Sequence, residues 1–531
     1  SRIDTMKASV YALASGAFLR TFLRASWMGI EVPYLPTSLA RSSMELNVPR
    51  SWALSPICFM MRIVGAIIGK VKECEESEMR QYTLRSFGAV GDGLNNDSEA
   101  FVKAFGALSE GGVLHLEEGT YLTGPLHIRA KNLVIELDKG AVIKFIADET
   151  LYRPVYSRWE GVNCYCMHPC VLIEEADGLI VRGEGVLDGN GGWWWEAANL
   201  KRNSQKGPVS PLEHELALLN PGYESQSGGG GGRQSQFLRP PLVQILHSNN
   251  VKLEGLTLQN SPFWTLHPLY STNLIFRSLT ILNPKDAPNT DGIDVDSCRF
   301  VTIKECFVDV GDDGIALKSG SGPDGVATNM PTTDVLIEGC TVKSAHGGAV
   351  IGSETAAGIR DVRVRDCFFD GTDRGIRIKT RRGRGGEISN LHFDSVRMRR
   401  NLCPLTLNMY YRCGSLDKED FSLEKKAITS TTPSIEQVVI ENCISEDSTS
   451  SAAFIVGLPE APIKDLVIRN CTFTVAKTGL TPVEESEMYE GLPEPVGRGI
   501  RLRNVELSMH DVQVEGVETA LVVEDGVQLQ S

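Results

Sequence analysis

The chain has 531 residues, is 42% hydrophobic and carries a net charge of −14, from 67 acidic and 53 basic residues. A chain of that size can bury a large core, and it lacks the basic arm or aromatic-interleaved basic stripe that grips nucleic acid. Its thirteen cysteines include no Cys-x-x-Cys pair of zinc spacing.

Residues 1–78 differ in composition from the rest of the chain. Acids are few before Glu73, arginines are scattered, and one apolar run covers Ile57–Ile68. Arg62 interrupts that run, which is shorter than the ~20 residues a membrane span needs. No ordered charged, apolar and small-residue leader is recognisable. The expectation is an extension of unassigned role over 1–78, a working chain over 79–531, no membrane partner, and a cytoplasmic location with secretion left open.

Phe87–Gly93 is a glycine-rich turn without the Gly-Lys-Ser/Thr ending of a phosphate loop. Asn96 or Asp97 is then placed to cap a helix whose apolar face is Ala100, Phe101, Ala104, Phe105 and Leu108. Such a helix would cover the open end of a stack of strands, whose unpaired backbone otherwise invites edge pairing. Short strands follow at Gly112–Leu116, Leu126–Ile128 and Leu133–Leu137. Cys164, Cys166, Cys170 and His168 form a loose cluster, readable as an ordinary loop or as a metal-ligand set. Trp193, Trp194 and Trp195 cannot all face a core. Residues 199–236 read as a long insertion of low order, with Gly228–Gly232 as its hinge. His267 reads either as a satisfied coil histidine or as a groove-lining residue.

From Asn289 onward the chain repeats. Gly292-Ile293-Asp294-Val295-Asp296-Ser297 overlays Gly314-Ile315-Ala316-Leu317-Lys318-Ser319, then Gly348–Ser353, then Gly375–Thr380. Four copies of one short strand are the mark of consecutive solenoid coils. In this overlay Asp291 and Asp313 share one position, while Asp312 and His346 share the position before it. Neighbouring strands lie ~4.8 Å apart, so these side chains should converge. Alternate residues of a strand face one side, which puts Arg377 and Lys379 on the face of Asp294 and Asp296. A second overlay, of strands beginning at Val251, Leu274, Val301, Val335, Val362, Leu391, Val438 and Leu466, alternates cysteine with Leu and Val at its sixth position. Cys306, Cys340, Cys367, Cys443 and Cys471 there read as small buried hydrophobes rather than disulfide partners.

The ordered quartet Asn289-Thr290-Asp291-Gly292, Gly311-Asp312-Asp313-Gly314, His346-Gly347 and Arg377-Ile378-Lys379 resembles the four signature motifs of glycoside hydrolase family 28. These are the polygalacturonases and their relatives, and the similarity runs from about Tyr82 to about Val475. One departure is Gly314, where many members carry Cys; a small residue there leaves the acids untouched. The resemblance implies an all-β, right-handed parallel β-helix with an N-terminal capping helix. It implies inverting hydrolysis of α-1,4-galacturonosyl linkages in pectic galacturonan or its oligomers, with no cofactor and no metal. Asp312 would be the proton donor, Asp291 and Asp313 would hold and deprotonate the water, and His346 would tune Asp312. Asn289, Arg377, Lys379, Arg382 and Tyr410 would contact the substrate. Arg382 lies in a basic run that reads either as a solvated loop or, beside the patch, as a site for a carboxylated sugar, since guanidinium forks match carboxylates. Tyr410, like an exposed member of Trp193–Trp195, reads either as stacking on a sugar or as packing beneath a loop, for Tyr410 the loop 412–434.

The insertion 199–236, the tryptophan run and the loop 412–434 are candidates for blocking one end of the groove, which would make the enzyme exo-acting. A rhamnogalacturonan hydrolase is the neighbouring alternative. Alternatives of other classes are a pectate lyase, which needs Ca²⁺ and an arginine base, and a carbohydrate-binding β-helix without catalysis.

Overall fold

Inward rows of aliphatic side chains organise the stack. The computed structural model describes residues 80–530 apart from 205–209, 223–238, 416 and 484–486. The readings made for residues 1–78, Met79 and the Gly228–Gly232 hinge lie outside the described residues. Twelve strands, from Leu126–Ile128 to Leu521–Val523, form one parallel sheet, and other strands of the coils join a second parallel sheet of 25. This is a right-handed parallel β-helix. The four overlaid strands are Ile293–Asp296, Asp313–Lys318, Gly347–Gly352 and Arg374–Lys379. They pair so that Ile293, Ile315, Ala349 and Ile376 stack in one row, and Val295, Leu317, Ile351 and Ile378 in another. All eight are buried. A fully buried aliphatic side chain contributes roughly 1.5–3 kcal/mol, so each row reinforces the same register in coil after coil. Because strand side chains alternate, the outward rows are fixed as well: Asp294, Ala316, Val350 and Arg377 form one, and Asp296, Lys318, Gly352 and Lys379 the next.

The capping helix spans Ser98–Ala107 and buries Ala100, Phe101, Ala104 and Phe105, as its periodicity requires. Asp97 makes no side-chain cap to it. Its carboxylate instead accepts the Val90 and Gly91 backbone N–H groups at 2.7 and 3.1 Å. That pins the glycine-rich turn, while Asn96 caps Ser98 N–H at 3.0 Å. The cysteine ladder is buried together with Leu256, Leu279 and Val396, and its thiols are free. One position shared by successive coils turns through the left-handed region: Asn250, Asn273, Phe300, Asp334, Asp361, Asn390, Gln437 and Asp465. Asn and Asp dominate this position because their short polar side chains tolerate positive φ best.

Two local expectations change, and a third holds. Cys164 and Cys166 belong to an antiparallel hairpin, Pro154–Trp159 with Val162–Met167, and pack against Trp159, Phe263 and Trp264. Cys170 sits in the main core, and His168 bonds the Pro169 carbonyl at 2.6 Å. The four residues therefore form no ligand set. The described part of 199–236 is ordered: one helix covers Gly192–Ser204, and another, Pro211–Leu219, starts with a Ser210/Glu213 capping box. The tryptophans divide as their shared helix dictates. Trp194 is buried edge-on against Tyr152, Trp193 is exposed, and Trp195 Nε1 donates to the Ser261 carbonyl at 2.9 Å.

Candidate active site

Asp291, Asp312 and Asp313 come from two successive coils, and their nearest oxygens all lie within 4.8 Å of one another. Asp291 and Asp313 are buried, while Asp312 is half-buried. Gathering them is costly, and the fourth coil offsets that cost. Arg377 Nη1 donates to Asp313 Oδ1 at 2.9 Å, and Lys379 Nζ to Asp313 Oδ2 at 2.5 Å. Gly347 lies between the two coils. A Cβ there would come within 3.2 Å of Arg377 Cδ and 2.5 Å of Val350 Cγ2, so glycine clears the path that Arg377 follows.

The charges divide unequally. Burial opposes it, but Lys379 and Arg377 hold the Asp313 carboxyl below the usual range. Burial, together with Asp312 and Asp294, pushes the Asp291 carboxyl well above it. Burial also pushes Asp294 up to about 8, against the pull of Lys318. Lys318 Nζ lies 3.4 Å from Asp294 and 3.1 Å from Glu354, and 4.6 Å from the centre of the Trp264 ring. Crowded carboxylates resist a second ionisation. The site therefore carries an anionic Asp313 next to an Asp291 held toward its neutral form.

A cleft of ≈ 180 Å³ opens over these groups. Asn289, Asp291, Asp312, Asp313, His346, Arg377 and Lys379 all line it. Arg239 Nη2 steers Asn289 by donating to its Oδ1 at 2.9 Å, and the Asn289 amide reaches Asp312 Oδ2 at 3.5 Å. Two of the proposed substrate contacts lie elsewhere. Arg382 is buried, gripping Glu460 at 2.6 and 2.9 Å and the Ser422 carbonyl at 2.8 Å. It fastens the 412–434 loop and does not face the cleft, because each partner of its guanidinium belongs to that loop or to Glu460. Tyr410 is fully buried in the core, and its neighbour Tyr411 lines the cleft. His267 is also buried, with Nδ1 2.9 Å from Gln244 Nε2 and Nε2 3.7 Å from Asp296.

Glu160, Trp264, Lys318, Glu354, Tyr411 and Met488 also line the cleft, most of them without a strong sequence signal. Lys318 had a readable one, since it occupies the register position of Asp296 and Lys379. Glu160 had none, because it rides on the hairpin turn, outside the repeat. Met488 lies in a late insertion and reaches back to Arg377, with its sulfur 3.3 Å from Nη2.

A cluster of carboxylates with one proton to give, and a fixed anion beside it, is the equipment of a glycosidase. The comparisons agree. Residues 224–479 match the model for glycosyl hydrolases family 28. A probable polygalacturonase of Vitis vinifera is 30% identical over 406 residues, covering 74% of each chain. The fold is similar to a hyperthermoactive exopolygalacturonase from Thermotoga maritima, with TM-score 0.67 and 29% identity, over 83% of this chain and 93% of that one. It is also similar to a family 28 exopolygalacturonase of Yersinia enterocolitica, with TM-score 0.66 and 18% identity, over 85% and 78%. The chain belongs to glycosyl hydrolases family 28 and is a glycosidase.

Proposed function

We propose that this glycosidase hydrolyses α-1,4-galacturonosyl linkages of pectic galacturonan or its oligomers, with inversion, from the chain end. The observation that carries the reading is the trio of carboxylates with Asp313 held by Arg377 and Lys379. Asp312, the most accessible of the three, gives its proton to the leaving oxygen. Asp291 and Asp313, on one register position of adjacent coils, hold the attacking water, and Asp313, the anionic member, takes its proton through a lone pair that the cations leave open. The oxygens lie closer than the ~6.5–9.5 Å usual between acid and base in inverting enzymes. Inversion is nonetheless favoured here, because Asp313 has both oxygens engaged by cations and Asp291 is buried and pushed toward its neutral form. Neither is an available nucleophile, so water attacks.

End-wise action rests on the wall at the C-terminal end of the cleft. Tyr411 N–H donates to the Thr380 carbonyl at 3.2 Å, Arg412 N–H donates to the Met488 carbonyl at 3.0 Å, and Tyr411 bridges Tyr489. Tyr411, Cys413 and Met488 line the cleft together with Lys379, and we read them as closing it at this end. None of the three tryptophans lines the cleft, so the wall differs in composition from the one expected. The test is the early product pattern from polygalacturonate, with the anomer released followed by NMR. Monomer or dimer of inverted configuration with viscosity holding supports the reading. A rapid viscosity drop overturns the end-wise part, unsaturated products overturn hydrolysis, and release of retained configuration overturns inversion.

A further inference from the structure

The register that pairs Asp313 with Gly347 also pairs Gly347 with Arg374. One position earlier, the same register stacks Asp312, His346 and Asp373 in a column across three coils. The backbone maintains this column: His346 N–H donates to the Asp312 carbonyl at 2.9 Å, and Arg374 N–H to the His346 carbonyl at 3.3 Å. Within it, His346 Nδ1 lies 2.6 Å from Asp373 Oδ2. Asp373 is itself held from behind by Arg374, a buried guanidinium 3.5 Å from the same oxygen.

We propose that Asp373 is a positioning residue for the proton donor, holding His346 as an oriented imidazolium beside Asp312. The proposal rests on the function proposed above and deepens it. A carboxylate accepting the Nδ1 proton fixes the tautomer and the ring plane, leaving Nε2 as the free ring nitrogen. When Asp312 gives its proton to the leaving oxygen it becomes a carboxylate, and the neighbouring positive charge stabilises that product of the step. The water's oxygen bonds the anomeric carbon as the glycosidic C–O bond breaks, and its one released proton passes to the anionic Asp313, so no proton needs to pass along the column. The groups facing His346 are Asp312 from the preceding coil and Asp373 and Arg377 from the following one. Burial works against the charged ring, but the Asp373 hydrogen bond and Asp312 outweigh it and raise the imidazolium above its ordinary value, with Arg377 opposing. The charge is therefore present at low pH and lost as pH rises through that raised value, taking activity with it.

The experiment compares wild type, Asp373→Asn and Asp373→Glu. It reads kcat/KM on a galacturonate trimer against pH, and the His346 ring titration by NMR, assigned with His346→Gln. In Asp373→Asn the His346 midpoint and the alkaline limb of the profile should both move acid by about one pH unit. kcat should fall by about 10–100-fold with KM little changed, and Asp373→Glu should restore the midpoint. An unmoved midpoint overturns the proposal, as does a falling kcat with an unmoved alkaline limb, which marks a merely structural role. A wild type inactive on galacturonan would sink the functional reading instead, and the NMR midpoints would still decide whether Asp373 sets the charge of His346.

Discussion

Arg377 and Asp313 stand 64 residues apart in the chain and meet at 2.9 Å across an intervening coil. Both are buried, so truncating one leaves the other's charge partly uncompensated. Arg377→Ala should cost about 3–5 kcal/mol of stability and most of the activity. Thermal melts and kcat measure the two effects. An unchanged melting temperature would show that the pair is exposed to water in solution.

Asp312→Asn should leave the fold intact, since Asp312 is the half-buried member of the trio. Turnover should fall by roughly 10²–10⁴ or more, as losses of a general acid do. Retention of most of the rate with a normal pH profile would remove Asp312 from that role.

Asp294 gives a stability prediction with a definite sign. Its folded value of about 8 lies above the ~3.9 of an unfolded aspartate, so the native state binds this proton more tightly. The resulting stabilisation is complete below about pH 4 and is lost as pH rises toward 8. Asp294→Asn keeps the neutral shape and should melt higher than wild type at pH 8, by on the order of a few kcal/mol, with little gain at pH 4. An equal shift at both pH values would argue against a buried neutral acid.

Arg382→Ala separates a loop fastener from a substrate contact. Breaking the buried Arg382–Glu460 pair should lower stability by about 3–5 kcal/mol, with KM for uronate oligomers changed far less. A selective rise in KM with an unchanged melting temperature would return Arg382 to the binding site.

Of the eleven described cysteines, Cys413 is the one that is not buried, and it lines the cleft. A bulky thiol reagent should modify it first among them, reduce activity, and be slowed by oligogalacturonide. Mass mapping of labelled peptides reads the outcome. Labelling of Cys306 or Cys340 at the same rate would mean that the ladder opens in solution.

The repeat was the legible part of the sequence. Glycine-anchored strands with alternating side chains set the register, and the register alone placed Asp291, Asp313, Arg377 and Lys379 within reach of each other. What lay outside the repeat was hidden for a physical reason. Arg382 and Tyr410 follow strands whose phase is known, but they sit on a loop and at a strand end, where alternation no longer applies. Glu160 and Met488 arrive from insertions, whose path depends on tertiary packing: Gly161 against Ser321 and Glu354, and residues 488–490 against Tyr410, Tyr411 and Arg412. Asp373 shares the position of Asp312 and His346, yet a lone acid before a glycine strand reads as a solvated turn residue. Only its contact with the imidazole ring sets it apart.

The outward rows have a consequence for how the site comes into being. The acids belong to the first two coils of the overlay and their counter-charges to the fourth. A nascent chain ending between Lys318 and Arg377 would hold three crowded carboxylates with no Arg377 or Lys379 to balance them. The trio in such a fragment would have Lys318 alone of these cations beside it and should take up protons from solution. Hydrolysis therefore reports the docking of the Arg374–Lys379 strand as well as the presence of the acids.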